Sequence, residues 1–111
     1  MMKFELKVKP ISINKFFRGR HYITSEGKKY QQMYHMLLPK KKMIKGQVKV
    51  EIIWHIEKKF LGKDIDNIAK ILIDAIVKKG LIEDDRFIVE LNIKKVKADE
   101  DKIIVKIDEV K

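Results

Sequence analysis

The chain has 111 residues, with 26 lysines and arginines against 16 aspartates and glutamates, and no cysteine. This length predicts one compact domain spanning residues 1–111. The lack of cysteine excludes disulfide scaffolds, thiol nucleophiles, cysteine-bound zinc and iron–sulfur clusters, and a reducing compartment is expected. Since no apolar run approaches the roughly 20 residues of a membrane helix, we expect a cytoplasmic protein with no membrane partner. The net charge of +10 favours polyanionic partners.

The first half of the chain predicts a strand, a long loop and a helix. Apolar and charged residues alternate over 3–8, which indicates a strand. Residues 9–27 are rich in turn formers, and loops of such length are often functional. Apolar residues recur at helical spacing over 26–38, with Ser25 as the expected N-cap and Pro39 as the stop.

The second half predicts two further strands and a helix after the clearest strand of the chain. Strict alternation over 47–57 indicates that strand. An apolar stripe over 66–79 predicts the clearest helix, and Gly80 is a suitable C-cap. Residues 88–97 and 103–110 read as strands that form a hairpin around a short acidic turn. The predicted order is β-α-β-α-β-β, an α/β (α+β) fold with a mixed sheet of about four strands and two helices.

Charge is unevenly distributed along the chain. Residues 1–59 carry 15 basic and 4 acidic side chains, whereas residues 60–90 carry 5 basic and 7 acidic ones. One explanation is ordinary solvated charge on a helix and a loop. The other is a metal site within a polyanion-binding surface, because carboxylates repel phosphate unless a cation lies between them.

The acidic residues form a pattern suited to metal chemistry. Asp66, Lys70 and Asp74 follow one another at i, i+4 and i+8, so they lie on one helix face, and Asp64 precedes them. Asp85 joins them only if the chain after the helix doubles back. Mg²⁺ prefers hard oxygen ligands, metal-bound water attacks phosphodiesters, and a nearby lysine stabilises negative charge. The alternative is that Asp66 is a helix cap and Lys70 a surface ion-pair partner.

The same residues carry a family resemblance. Residues 64–85 read D-I-D-N-I-A-K-I-L-I-D-A-I-V-K-K-G-L-I-E-D-D, which resembles the central motif of the RusA family of Holliday junction resolvases. The stretch from Pro10 through Ser12 and Asn14 to residues 23–28 is similar to the family's N-terminal elements. The resemblance covers roughly residues 9–90.

The resemblance implies a small dimeric endonuclease that acts on four-way or branched DNA. It implies Mg²⁺ as the cofactor, with Mn²⁺ as a substitute and no small-molecule cofactor. It implies that Asp64, Asp66 and Asp85 are catalytic metal ligands and that Lys70 is catalytic. Asn67, Asp74 and Asp84 belong to the motif in supporting roles. The expected location is the cytoplasm, at the nucleoid of a bacterial or phage-infected cell.

Basic residues outside the motif are candidates for DNA contact. Such contacts would position phosphates without reading sequence, and arginine has the planar geometry that suits phosphate. For any single lysine, a solubilising surface charge is the simpler explanation. The candidates are Lys15, Arg18, Arg20, Lys28 and Lys63.

Two cuts related by a two-fold axis require two sites, so a homodimer fits this substrate. Candidate interface residues are the aromatic ones Phe4, Phe16, Phe17, Trp54 and Phe60. For Trp54, packing in the core is the favoured alternative. Phe16 and Phe17 could instead insert between unstacked bases at the junction centre.

Two other functions compete with the resolvase hypothesis. One is a non-catalytic branched-DNA-binding protein of prophage origin, in which the aspartates serve as helix caps. The other is a Mg²⁺ enzyme of nucleotide metabolism, which the broad positive charge disfavours because a small substrate does not need so extensive a field.

Overall fold

The computed structural model describes residues 1–8, 17–18, 22–62 and 65–110, with the backbone alone at 17, 18, 22 and 66–68. The predicted order β-α-β-α-β-β is confirmed, and two very short strands add to it. The strands are β1 (Met2–Leu6), β2 (Phe17–Arg18), β3 (Tyr22–Ile23), β4 (Val48–Ile56), β5 (Ile88–Lys97) and β6 (Lys102–Glu109). The helices are α1 (Ser25–Leu37) and α2 (Ile65–Lys79), with single 3₁₀ turns at Phe60–Gly62 and Asp85–Phe87.

The main sheet has the strand order β1-β6-β4-β5. β6 pairs antiparallel with both β1 and β4, whereas β5 runs parallel to β4. The predicted hairpin of the last two strands is therefore wrong, because β4 lies between them. Their connection passes over the end of β4, where the Ala98 N–H donates to the Ile56 carbonyl at 3.0 Å and the Glu57 N–H donates to Asp101 Oδ1 at 3.0 Å.

Helix α2 is the crossover between the parallel strands β4 and β5. Parallel neighbours need such a connection, since a tight turn cannot return the chain in the same direction. The chain therefore leaves the end of β4, runs back along the sheet as α2 and re-enters at the start of β5. This route brings the residues just before β5 towards the helix.

One face of the sheet carries the core. Val48, Val50, Ile52, Trp54 and Ile56 of β4 are all buried, which confirms the predicted alternation. They form a single cluster with buried residues of both helices. Trp54 is only 1% exposed, so its interpretation as a core residue is confirmed.

Two other residues predicted to lie in a dimer interface have described side chains, and both are less buried than Trp54. Phe4 and Phe60 are partly buried and pack against the core. The opposite face of the sheet is polar, with a cross-strand ion pair of 3.6 Å between Lys106 and Glu51. Helices thus cover one side of the sheet in the described part of the chain.

Helix ends follow local chemistry, with one correction. Thr24, not Ser25, is the N-cap of α1, and its side-chain oxygen accepts the Gly27 N–H at 2.9 Å. Both residues carry a hydroxyl, so composition alone did not separate them. Helix α1 ends before Pro39 as predicted, and Gly80 follows α2 with φ of +80°, as a C-cap requires.

The predicted long loop contains more structure than expected. β2 and β3 pair antiparallel, with Phe17 opposite Ile23 and Arg18 opposite Tyr22. Two-residue strands are too short to show a sequence period. Among the described helices, none has the length and apolar character needed to cross a membrane.

Candidate functional site

A cleft of about 530 Å³ lies between α2 and the start of β5. It combines charged side chains with an apolar wall. Its lining residues are Ala69, Lys70, Ile73 and Asp74 of α2, together with Asp85, Ile88 and Leu91. The doubling back that the site hypothesis requires therefore occurs, because Asp85 reaches the helix face that carries Lys70 and Asp74.

The helix side of the cleft follows from the amphipathic pattern of α2. Ile71, Leu72 and Ile76 are buried against the sheet. Lys70 and Asp74 are exposed and lie one turn apart on the outer face. The predicted separation of charged and apolar faces is confirmed for these residues.

The chain between α2 and β5 is anchored before it reaches the cleft. Leu81 and Ile82 are 0% and 1% exposed, and Ile82 forms a parallel bridge with Ile44. The next residue, Glu83, accepts the Gly46 N–H through Oε1 at 2.7 Å. These contacts fix the direction in which the following acidic pair leaves the sheet.

Asp84 and Asp85 form a hydrogen-bonded acidic pair. Asp84 caps the 3₁₀ turn, accepting the Asp85 N–H through Oδ1 at 2.7 Å, and its Oδ2 lies 3.7 Å from Arg86 Nε. Hydrogen bonds from the side chain and backbone of Asp85 hold the pKa of the Asp84 carboxyl below its ordinary value. The pKa of Asp85 is raised because it shares a hydrogen bond with Asp84 and feels that carboxylate's charge, and Asp74 adds to the effect. The charges of Asp84 and Asp74 thus oppose ionisation of Asp85, and a cation bound there would relieve this repulsion.

Comparison with known proteins decides the family. The family model described as endodeoxyribonuclease RusA matches residues 7–108. The chain belongs to the RusA family. A protein of Enterobacteria phage HK97 named crossover junction endodeoxyribonuclease rusA is 29% identical to it over 82 residues, covering 68% of each chain. The resemblance read from the motif is thereby confirmed.

The structure describes only part of the site that RusA membership suggests. Lys70 and Asp85 lie in the cleft, and Asp66 falls in the first turn of α2, where its backbone alone is described. Asp64 lies outside the described residues. Among the described side chains, no group of three carboxylates or histidines could enclose a metal ion. The ligand roles of the three aspartates therefore stay predictions.

The structure describes some of the residues predicted to contact DNA fully, some by their backbone alone and others not at all. Lys28 is exposed in the first turn of α1. Arg18 lies in β2, and Phe17 beside it is likewise described only by its backbone. The remaining residues in these predictions, Lys15, Phe16, Arg20 and Lys63, lie outside the described residues.

Sequence reasoning did not identify every residue at the RusA cleft. The i+4 spacing from Lys70 placed Asp74 on the correct helix face, but the family resemblance implied only a supporting role for it. Ile73, Ile88 and Leu91 gave no functional signal, because an apolar residue in a helix or strand is normally explained by the core. The cleft wall is visible only after α2 and β5 are placed side by side.

Proposed function

We propose that this chain is a Mg²⁺-dependent endodeoxyribonuclease that resolves four-way DNA junctions by paired, symmetric nicks. The observation that carries the proposal is the cleft, which gathers Lys70, Asp74 and Asp85 in a chain of net charge +10. A polyanion-binding protein that concentrates carboxylates in one cleft has a use for a cation there. The name of the HK97 relative supports branched DNA as the substrate. The expected place of action is the nucleoid of a bacterial or phage-infected cell.

The donor chemistry of the proposed site fits Mg²⁺. Asp64, Asp66 and Asp85 would supply hard carboxylate oxygens, which Mg²⁺ prefers. The hydrogen bond shared with Asp84 and the charges of Asp84 and Asp74 raise the pKa of Asp85, and those charges also favour a bound cation, which supports this assignment. When bound, Mg²⁺ lowers the pKa of a coordinated water and offsets charge on the phosphate.

The chain's own residues would bind and orient the DNA around that site. Lys70 lies in the same cleft as Asp85, so its ammonium can stabilise negative charge that develops on the phosphate oxygens. Exposed basic residues such as Lys28 would hold neighbouring phosphates without reading sequence. Binding should therefore weaken steeply with salt.

We also propose a homodimer, formed through the edge of β5 that has no strand partner among the described residues. This strand is ten residues long, lies at the sheet edge and exposes 52% of Val89 and 41% of Leu91. An edge strand presents unpaired N–H and C=O groups with which another chain can pair. Antiparallel pairing about Asn92 places Glu90 opposite the partner's Lys94 and Leu91 opposite the partner's Ile93. This register is self-complementary in charge and in apolar contact.

Charge reversal tests the dimer independently of cleavage. Glu90→Lys alone and Lys94→Glu alone should each weaken association by placing like charges opposite one another. The double exchange should restore it. Sedimentation velocity over a range of concentrations provides the measurement, with Asp108→Lys on the polar sheet face as the control. A wild-type monomer, or single variants that associate normally, would contradict this interface.

The cleavage proposal is tested with a synthetic four-way junction and a linear duplex of matched sequence. Wild-type protein should nick two opposed strands of the junction in Mg²⁺, and neither substrate in EDTA. Asp66→Asn and Asp85→Asn should abolish cleavage while retaining junction binding. Asp108→Asn is the matched control, because Asp108 is an exposed aspartate on β6 away from the cleft.

The outcomes separate the competing functions. Tight junction binding without cleavage in either Mg²⁺ or Mn²⁺ would favour the non-catalytic binding protein. Equal cleavage of duplex and junction would retain the nuclease and refute structure specificity. Replacing Phe16 and Phe17 together with alanine tests the proposed insertion between bases, and unchanged junction cleavage would refute it.

A further inference from the structure

The segment between β4 and α2 is tied to β5 by two lysines. Lys95 Nζ donates to the Phe60 carbonyl oxygen at 3.0 Å and lies 4.9 Å from the centroid of the Phe60 ring. Two residues on, Lys97 Nζ donates to the Glu57 carbonyl oxygen. Two residues of the segment 57–62, Glu57 and Phe60, therefore contact β5.

Lys95 is placed for this contact by the register of the sheet. It lies opposite Trp54 of β4, so its side chain is on the helix-covered face, where it is half-buried. The Phe60 ring is itself partly buried against the core. An ammonium held between a carbonyl oxygen and an aromatic face in such a setting has a defined position, because both contacts are stronger where water is reduced.

The same register places the adjacent lysine elsewhere. Lys94 lies opposite Ile53, on the polar face of the sheet. It is exposed, and it alternates with Lys95 as successive residues of a strand do. The contact with Phe60 therefore depends on the sheet face that Lys95 occupies.

The tethered segment leads directly into the proposed metal site. The single 3₁₀ turn Phe60–Gly62 ends two residues before Asp64, and α2 begins at Ile65. This turn is the last described part of the chain before the acidic motif. A turn of three residues with no buried residue of its own depends on outside contacts for its position.

We propose that Lys95 is a positioning residue for the nuclease site. By holding the Phe60 carbonyl and ring, it fixes the turn that precedes Asp64 and so helps preorganise the carboxylates for a divalent cation. This inference rests on the proposed function, because it assumes that Asp64 and Asp66 bind the metal. Removing residues that orient metal ligands without binding the metal themselves commonly lowers metal affinity or activity by about 10- to 100-fold.

The test measures metal binding without DNA. Lys95→Met keeps an unbranched side chain but removes the charge and the donor, whereas Lys95→Arg keeps both. Lys3→Met is the control, because Lys3 is exposed on the polar face of β1, at the sheet edge farthest from β5. Mn²⁺ is the probe, and its free concentration is followed by electron paramagnetic resonance. We expect Lys95→Met to raise the dissociation constant for Mn²⁺ by about 10- to 100-fold, with Lys95→Arg and Lys3→Met close to wild type.

A second readout separates positioning from a general loss of stability. Hydrogen–deuterium exchange of residues 57–62 should become faster in Lys95→Met, while exchange within β4 and β6 remains at the wild-type rate. Faster exchange throughout the sheet, without rescue by Lys95→Arg, would overturn the proposal in favour of a merely structural role. Unchanged Mn²⁺ affinity in Lys95→Met would also overturn it.

The outcomes distinguish this inference from the proposed function. If wild-type protein binds Mn²⁺ and cleaves junctions while Lys95→Met does both equally well, only the role of Lys95 fails. If wild-type protein binds no divalent cation, the proposed function fails and this inference fails with it.

Discussion

Gly80 controls the route by which the chain returns from α2 towards the cleft. Its φ of +80° lies in the left-handed region, which costs an L-residue with a Cβ about 1–2 kcal/mol. A Cβ at Gly80 would find its nearest atom, Met43 Cε, at 3.9 Å, an ordinary van der Waals distance. Gly80→Ala should therefore introduce backbone strain without a steric clash.

The expected magnitude follows from two opposing effects. Alanine restricts the unfolded chain, which offsets the strain by about 0.4–1 kcal/mol. The net destabilisation of Gly80→Ala should be about 1 kcal/mol, or a melting temperature about 4 °C lower for a domain of this size. Gly80→Asn should cost less, because asparagine tolerates the left-handed region better than alanine.

Urea denaturation followed by circular dichroism measures this effect. Gly46→Ala should cost a similar amount, since Gly46 has φ of +79° and no atom lies within 4 Å of the Cβ that alanine would add. Gly62→Ala is the control, because its φ is not positive and its nearest neighbour, Lys59 Cβ, lies at 3.9 Å. A loss above about 3 kcal/mol would indicate a steric or packing contribution beyond backbone strain. No loss at Gly80 would refute the left-handed cap.

Four other perturbations test the site and the core. Asp84→Asn should lower the pKa of Asp85, because it removes the hydrogen bond between the two carboxyl groups and the neighbouring charge, which both raise it; carboxyl NMR titration in EDTA checks this, and an unchanged Asp85 titration would contradict the coupling. Lys70→Met should reduce junction cleavage by about 10²- to 10³-fold at saturating Mg²⁺, and single-turnover rates near wild type would exclude Lys70 from the reaction. Lys28→Gln should weaken binding to all DNA alike and reduce the salt slope by about 1, whereas a sequence-dependent loss would argue against a phosphate contact. Leu72→Ala, at a residue that is 0% exposed, should cost about 2–5 kcal/mol in urea denaturation, and a smaller loss would mean that the helix–sheet interface collapses into the space.

The spacing of apolar residues predicted the bounds of strands and helices well where only one face of the element is buried. The bounds of β4 and α2 lie within one residue of the prediction. The period does not specify which strands are neighbours, because it reports only the face on which each side chain lies. The strand predicted over 103–110 is confirmed as β6 (Lys102–Glu109). Its pairing with β4 and β1, however, depends on how α2 crosses the sheet.

The candidate site was predictable where it forms one contiguous motif. Lys70 and Asp74 followed from helix geometry, whereas the arrival of Asp85 required the parallel pairing of β4 and β5. Nothing in the sequence indicated that Lys95 contacts the segment before the acidic motif. A lysine near the end of a strand is normally read as solvated, and its contact with Phe60 joins residues 35 positions apart.

The strand order also governs when the fold can be completed. β1 pairs with β6, so Met2 lies opposite Ile107, and among the described strands β1 has no other partner in the sheet. Contacts between residues so distant in sequence slow folding, because the loop entropy is lost before the pairing compensates for it. During translation, α2 and β4 can emerge early, but β6 must leave the ribosome before it can join β1 to β4. We therefore expect the complete sheet, and any cleft that depends on its rigidity, to form only after residues through Glu109 have been released.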